Sequence, residues 1–344
     1  MSVKTSSSEL QIRDSNMELL RIVSMLLVLI VHADYMSLGS PTTADVFSNP
    51  TESFLKMLFY SLSTVCVNCF VLLSGWYGIH PKLKRFSAFI FQVLFISGLS
   101  LTGYYLFTHQ KPTIEDLKSL LLLTDDLWFV RSYIVLYLFA PMLNTFSTSA
   151  SKHQFTIVLG CLLFIQTILG WATSTVPWFD GGYSPLSFML LYLLAQYTRR
   201  FSGKWTTLSS QSYLLIYLSI TLFGALINFF SFYLGIGEGM SWLSYISPIV
   251  IANSLALLLF FSKLQIKSRA INWVASSCFA VYILHCSRHA LEAYCHQISL
   301  YYQSDNYCGI ILLILCIYLA AILIDKIRIR IWQLVFEEDE KTRR

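Results

Sequence analysis

The chain has 344 residues, of which 56% are hydrophobic and only 12% charged. A soluble domain carries roughly 25% charged residues, so this composition excludes a soluble globular protein and points to a polytopic membrane protein. The formal net charge of +5 is no sign of nucleic acid, because the basic residues sit in short loops between apolar runs.

A membrane-crossing helix needs about 20 mostly apolar residues. Ten such segments are predicted, giving an all-α polytopic fold: 17–36, 54–77, 87–108, 127–147, 155–172, 185–198, 211–234, 242–261, 272–287 and 306–326. Residues 117–124 are apolar but too short to cross, and are expected at the interface. Nothing in the polar opening or the first apolar run reads as a cleavable signal. The whole of 1–344 is expected to be one membrane domain, with a short N-terminal segment over 1–16 and a charged tail over 327–344.

Charge sets the orientation. Cytoplasmic loops of membrane proteins are enriched in Lys and Arg. With the N-terminus inside, only Arg21, Lys56, Lys111, Lys118, Arg131 and Arg288 fall outside the inner segments. Both termini are therefore predicted cytoplasmic.

The first span carries the most informative residues. Glu18, Arg21 and His32 are costly in a membrane helix and must face protein or water. At 100° per residue, the 11 positions from Arg21 to His32 leave them about 20° apart around the axis, and Glu18 is about 40° from His32. The three form one polar stripe, with Glu18 placed to pair with Arg21 three residues on. Arg21 lies toward the cytoplasm and His32 toward the outside, about 16 Å away along the axis. Asp34 sits about 200° around from its neighbour His32 and is poorly placed to orient that ring on a regular helix.

Other polar residues follow in order. In the second span, Ser74-Gly75 is read first as permission for close helix packing. Cys66 and Cys69 have CxxC spacing, but lie in an apolar run with no second ligand pair, so a buried reduced role is expected. In the fourth span, Trp128, Arg131 and Tyr133 lie near the outer end. Arg131 reads equally as a snorkelling interfacial cation and as an anchor for an anionic or sugar group. In the ninth span Tyr282 and His285 share a face. His289 and His296 are expected as solvated loop residues. Neither they nor Cys295 offer zinc spacing, although a Cys295–Cys308 disulfide is possible in an outer loop.

The pattern as a whole resembles the membrane acyltransferase 3 family, the integral-membrane O-acyltransferases of bacterial surface polysaccharides. The pieces occur in order: Glu18-Leu19-Leu20-Arg21, then ten residues, then His32; Phe70-Val71-Leu72-Leu73-Ser74-Gly75-Trp76 and the basic loop Pro81-Lys82-Leu83-Lys84-Arg85; Leu127-Trp128-Phe129 and Leu136-Tyr137-Leu138-Phe139-Ala140-Pro141; and Ser276 through Tyr282 to His285. The resemblance implies a multi-pass protein of a bacterial cell membrane. It would move an acyl group, most often acetyl, from cytoplasmic acyl-coenzyme A, a co-substrate rather than a resident cofactor, to a hydroxyl of a glycan or related acceptor. His32, Arg21 and Glu18 are the expected catalytic residues, with His32 either general base or transient acyl carrier. Arg131, Trp128, Tyr133, Ser74, Tyr282 and His285 are the expected substrate-binding residues. No metal and no nucleic-acid partner are expected, and membrane lipid surrounds the chain. A transporter or flippase for a glycan or lipid-linked intermediate is the competing class, since intramembrane charge would suit it equally.

Overall fold

The computed structural model describes residues 14–174, 176–203, 206–236 and 242–337, and every regular element among them is helical. Most of the expected segment 1–16, the basic residues Lys4, Arg13 and Lys204, and the end of the expected tail lie outside the described residues.

In chain order the helices are α1 (Ser15–Val31), α2 (Thr43–Ser48), α3 (Pro50–Ser63), α4 (Cys66–Tyr77), α5 (Leu83–Thr108), α6 (Ile114–Leu120), α7 (Trp128–Ser149), α8 (Lys152–Ile165), α9 (Pro185–Arg200), α10 (Ser210–Tyr233), α11 (Pro248–Ser262), α12 (Arg269–Ala275), α13 (Cys278–Cys286), α14 (Ala290–Gln303) and α15 (Tyr307–Trp332). α1 runs on through a wider π-helical turn over His32–Met36, and α8 does the same over Gln166–Ala172.

Among the described residues, seven segments are long and apolar enough to cross a membrane, eight if one bent pair counts as a span. Ten were predicted from apolarity, and the shortfall has a structural reason. α9 has 16 residues and α11 has 15, roughly 24 and 22 Å, against a hydrocarbon layer about 30 Å thick. Each starts abruptly at a serine cap followed by proline, Ser184-Pro185 and Ser247-Pro248, a strong helix-start signal. Both are buried along much of their length among their neighbours. Their apolarity therefore faces protein more than lipid.

The predicted span 272–287 is also revised. Arg269–Cys286 passes the length test only together with α14, to which it is bent by 81°. The chain turns at His289, whose φ of +67° lies in the left-handed region. The expected outer loop is thus a helix lying across the bundle. Tyr294 Oη donates to Leu29 O at 2.9 Å and Ser299 Oγ to Ser37 O at 3.0 Å, fastening α14 onto the end of α1. The tail expected from 327 is helical to Trp332 and π-helical to Glu337. All eight cysteines are free, so Cys295 and Cys308 form no disulfide. Residues 117–124, expected at the interface, overlap the short α6, which opens on a Thr113–Asp116 capping box.

α1 is the hub, packing against α3, α4, α11, α12, α13 and α15. Lipid tails are as apolar as leucine, so close packing and polar bonds must hold such helices together. Both occur here. A Cβ on Gly75 would lie 2.4 Å from Tyr192 O and 2.9 Å from Ala195 Cβ, so α4 and α9 meet this closely only because residue 75 has no side chain. Ser61 Oγ donates to Thr221 O at 2.8 Å, Asn253 Nδ2 to Thr221 Oγ1 at 3.0 Å and Asn68 Nδ2 to Tyr245 O at 2.9 Å. Deep in the bundle, Arg328 Nη2 pairs with Asp325 Oδ1 at 2.6 Å, and Gln92 Nε2 donates to the same oxygen at 2.8 Å.

The bundle has two chemically different ends. Arg199, Arg200 and Lys267 border adjoining concavities at one, the basic end, together with Asp14 and Asn16 at the start of α1. α1 starts there and carries His32 to the other.

Candidate active site

The site is built where the end of α1 meets the end of α13. His32 is the first residue of the π-helical turn, and His285 lies in the last turn of α13. His32 Nδ1 and His285 Nε2 are 3.0 Å apart. His285 Nδ1 lies 2.6 Å from the carbonyl oxygen of Val281. A carbonyl can only accept, so His285 Nδ1 carries the proton and, in the neutral ring, its Nε2 is a lone pair. His32 Nδ1 must then donate to it, and the acceptor nitrogen of His32 is Nε2. Hydrogen-bond accounting alone thus assigns both tautomers. The partner of the His32 ring is His285, 253 positions away, and not its neighbour Asp34.

His32 borders a cavity of about 390 Å3. Its wall is largely aromatic: Tyr35, Tyr60, Phe70, Trp128, Phe129, Tyr183, Tyr245, Phe279 and Tyr282, with Asp125 and Asp126 as its carboxylates and Cys66 and Cys286 as its thiols. The rings brace one another. Trp128 meets Tyr183 edge-on at 4.4 Å between centroids, and Phe129 packs against Tyr282 at 5.6 Å. The Phe129 amide donates to Tyr282 Oη at 3.3 Å. The cavity opens at the end away from the basic residues, for Asp125 is almost fully exposed there and Tyr35 and Met36 are half exposed.

A clamp holds the loop that carries the two aspartates. Asp116 is buried, and Tyr105 Oη, the Thr113 amide and hydroxyl, and His289 Nε2 at 2.9 Å all donate to it. Arg288 Nε lies 2.9 Å from the same carboxylate, and Arg288 Nη1 lies 3.8 Å from Asp126. Burial alone would raise the Asp116 pKa, but the hydrogen bonds from Thr113, Tyr105 and His289 outweigh it and hold the carboxyl far below the ordinary range. His289 was expected as a solvated loop residue. Instead it stacks on Tyr104 at 4.0 Å and bonds to Asp116, while His296 is exposed.

The other expected site residues are spread along the bundle. Arg21 forms an ion pair with Glu18, whose side chain is nearly buried, three turns from His32. Trp128 and Tyr282 line the cavity. Tyr133 lies one turn deeper, stacked on Phe129 at 5.9 Å, with Ser74 Oγ 3.4 Å from its hydroxyl. Ser74 and Tyr133 thus lie beneath the cavity wall. Arg131 does not line the cavity itself but pairs with Asp125, which does. The cavity residues Tyr35, Tyr60, Tyr183, Tyr245, Asp125, Asp126 and Cys286 were not singled out from the sequence. Cys286 could have been, since it adjoins His285.

The basic end holds two open concavities, of about 410 and 830 Å3, that share Trp76 and Arg199. The Arg199 guanidinium lies 5.7 Å from the Trp76 ring centroid and 5.6 Å from that of Tyr77, and it also donates to the Trp76 carbonyl. Arg200 borders the first concavity, and Lys267 and Gln265 the second. The α4–α5 loop beside them is fixed by a polar net. Asn144 Nδ2 donates to Ile79 O at 2.8 Å, Tyr192 Oη and Gln196 Nε2 each donate to Asn144 Oδ1 at 2.7 Å, and the Ile79 amide donates to Tyr192 Oη at 2.7 Å.

The described residues thus place an imidazole pair at a cavity on one end of the bundle and a cationic, aromatic concavity at the other. The family model described as an acyltransferase domain matches residues 14–325, and the chain belongs to this acyltransferase 3 family. It is therefore a membrane acyltransferase. No match is found among curated proteins or among solved structures.

Proposed function

We propose that this enzyme takes a small acyl group, acetyl foremost, from acyl-coenzyme A at the basic end and transfers it to a hydroxyl of a cell-surface glycan or related acceptor in the aromatic cavity. The basic end is cytoplasmic in this reading, as the loop charges argue, and the chain works as one membrane domain in a bacterial cell membrane. The observation that carries the reading is the His32–His285 pair, which leaves the lone pair of His32 Nε2 as the base at the cavity.

The chemistry follows. The acceptor hydroxyl gives its proton to His32 Nε2 as its oxygen attacks the thioester carbonyl. The His32 imidazolium that forms is stabilised through Nδ1–H by the His285 lone pair. The proton then passes to the departing thiolate of coenzyme A. This direct route needs no covalent intermediate. An acyl-imidazole on the same Nε2 would be the two-step version. The aromatic wall suits a sugar, whose apolar faces pack on rings while its hydroxyls reach Asp125 and Asp126. Arg199, Arg200 and Lys267 supply cations for the phosphates of the donor, and Arg21, oriented by Glu18, presents its guanidinium further along α1. Arg131 acts at the cavity by placing Asp125 rather than by touching the acceptor. The transporter alternative has no observation of its own.

The test is transfer of radiolabelled acetyl from acetyl-coenzyme A to a surface-glycan extract by purified protein in liposomes. Wild type is expected to transfer and His32→Ala to lose roughly 10²- to 10⁴-fold, the usual share of a general base. Full activity in folded His32→Ala would overturn the reading.

A further inference from the structure

Cys286 has no part in the reaction above, yet it completes a geometry that the reaction does not require. Its Sγ lies 3.3 Å from His285 Nε2 and 3.7 Å from His32 Nδ1, and those two nitrogens are 3.0 Å apart. Two imidazole nitrogens and a sulfur therefore converge, with all ligand atoms within 4.8 Å of one another. A tetrahedral zinc ion, with bonds of about 2.05 Å to nitrogen and 2.3 Å to sulfur, holds neighbouring ligand atoms roughly 3.3–3.6 Å apart. Each edge of the triangle is within a few tenths of an ångström of that requirement.

Two further features belong to metal sites. A metal-bound histidine usually donates its other nitrogen to a carbonyl or carboxylate, which fixes its orientation. His285 already does so, to Val281 O at 2.6 Å. His32 and Cys286 both border the cavity, so a fourth position would face open space, as in three-ligand zinc sites. A donor set of two imidazoles and one thiolate selects Zn2+ and Cd2+ over Mg2+ and Ca2+, which prefer oxygen.

We propose that His32, His285 and Cys286 form an inhibitory site for a soft divalent cation, Zn2+ foremost. The inhibition rests on the reading of His32 Nε2 as the base; the binding does not. The protons balance as follows. The ion takes the lone pair of His285 Nε2 directly. His32 moves its proton from Nδ1 to Nε2, so that Nδ1 binds the ion. The Cys286 thiol binds as thiolate and releases its proton to solvent. One proton is released per ion, and nothing is oxidised or reduced. His32 then presents an N–H donor where the reaction needs a lone pair, and transfer stops.

The experiment uses chelator-treated full-length protein in detergent and in liposomes, with Cd2+ as the spectroscopic probe. Wild type is expected to bind one Cd2+ with sulfur-to-cadmium charge-transfer absorption, to release one proton, and to give up the signal to Zn2+. Seven other cysteines are present, so the signal must depend on Cys286: Cys286→Ala abolishes it, and His285→Ala weakens binding at least roughly 100-fold, beyond what an outer-shell partner costs. Zn2+ is expected to suppress radiolabelled acyl transfer by wild type with the same midpoint. Cys286→Ala, compared with and without Zn2+, resists at least tenfold higher concentrations. A wild-type signal that survives Cys286→Ala, or no signal at all, overturns the site. Cys286-dependent binding that leaves transfer unchanged or stimulates it overturns the inhibition. Because Cd2+ binding is read without turnover, the site is tested even if His32→Ala proves active and the proposed base fails.

Discussion

Replacing His285 with leucine removes the acceptor of the His32 Nδ1–H bond while keeping an apolar side chain of similar bulk. The 3.0 Å bond is what keeps the His32 proton on Nδ1 and its lone pair on Nε2. His285 is buried, so without it the Nδ1–H would be left with only the weak sulfur acceptor of Cys286, 3.7 Å away. Leaving a buried donor unsatisfied costs about 1–3 kcal/mol. That cost moves His32 toward the wrong tautomer, and at 1.36 kcal/mol per decade it lowers turnover roughly 5- to 150-fold. His285→Gln, whose amide oxygen can accept the same bond, should recover part of the loss. The assay is radiolabelled acyl transfer in liposomes with kcat and acceptor KM separated, on protein shown to be monodisperse and helical. The loss belongs in kcat, because the tautomer matters in the transition state and little to acceptor binding. A His285→Leu enzyme within twofold of wild type in kcat would refute the tautomer argument. So would a His285→Gln enzyme no better than His285→Leu.

Other outcomes follow from the packing and the clamp. Gly75→Ala forces a methyl group to within 2.4 Å of Tyr192 O and should lower stability by about 1–3 kcal/mol, as overpacking does, read as a fall in thermal midpoint in detergent. Asp325→Ala strands the buried Arg328 charge and should cost about 3–5 kcal/mol, seen as little folded protein on size exclusion. Asp116→Asn should loosen residues 109–127, measured as faster limited proteolysis of that loop. In wild type the Asp116 pKa is depressed, so its contribution is complete above the ordinary carboxylate pKa and is lost only as pH falls below it. Protection of the loop should therefore be the same at pH 8 and pH 5, and loss by pH 5 would contradict the assignment.

Some of this site is legible in sequence because helix arithmetic is local. The Glu18–Arg21–His32 stripe, the Glu18–Arg21 pair and the shared face of Tyr282 and His285 all follow from 100° per residue. The close packing at Ser74-Gly75 follows from the absent side chain. What is not legible is long-range. The His32–His285 bond joins residues 253 positions apart, and the His289–Asp116 bond joins residues 173 apart. The cavity rings Tyr183 and Tyr245 stand on irregular loops, where no periodicity marks a direction. Apolarity also cannot say whether a helix faces lipid or protein, and for that reason α9 and α11 read as spans although they are short and largely buried.

The distance along the chain between the two imidazoles also bears on biogenesis. During synthesis the first helix, with Arg21 and His32, is complete long before the ribosome reaches α13. Until α13 inserts against α1, His32 has no partner to settle its proton, and the Cys286 ligand does not yet exist. A nascent or truncated chain can hold Arg21 and still lack the bond that orients the His32 ring. With His32 as the proposed base, activity would switch on late, as one of the last consequences of membrane insertion.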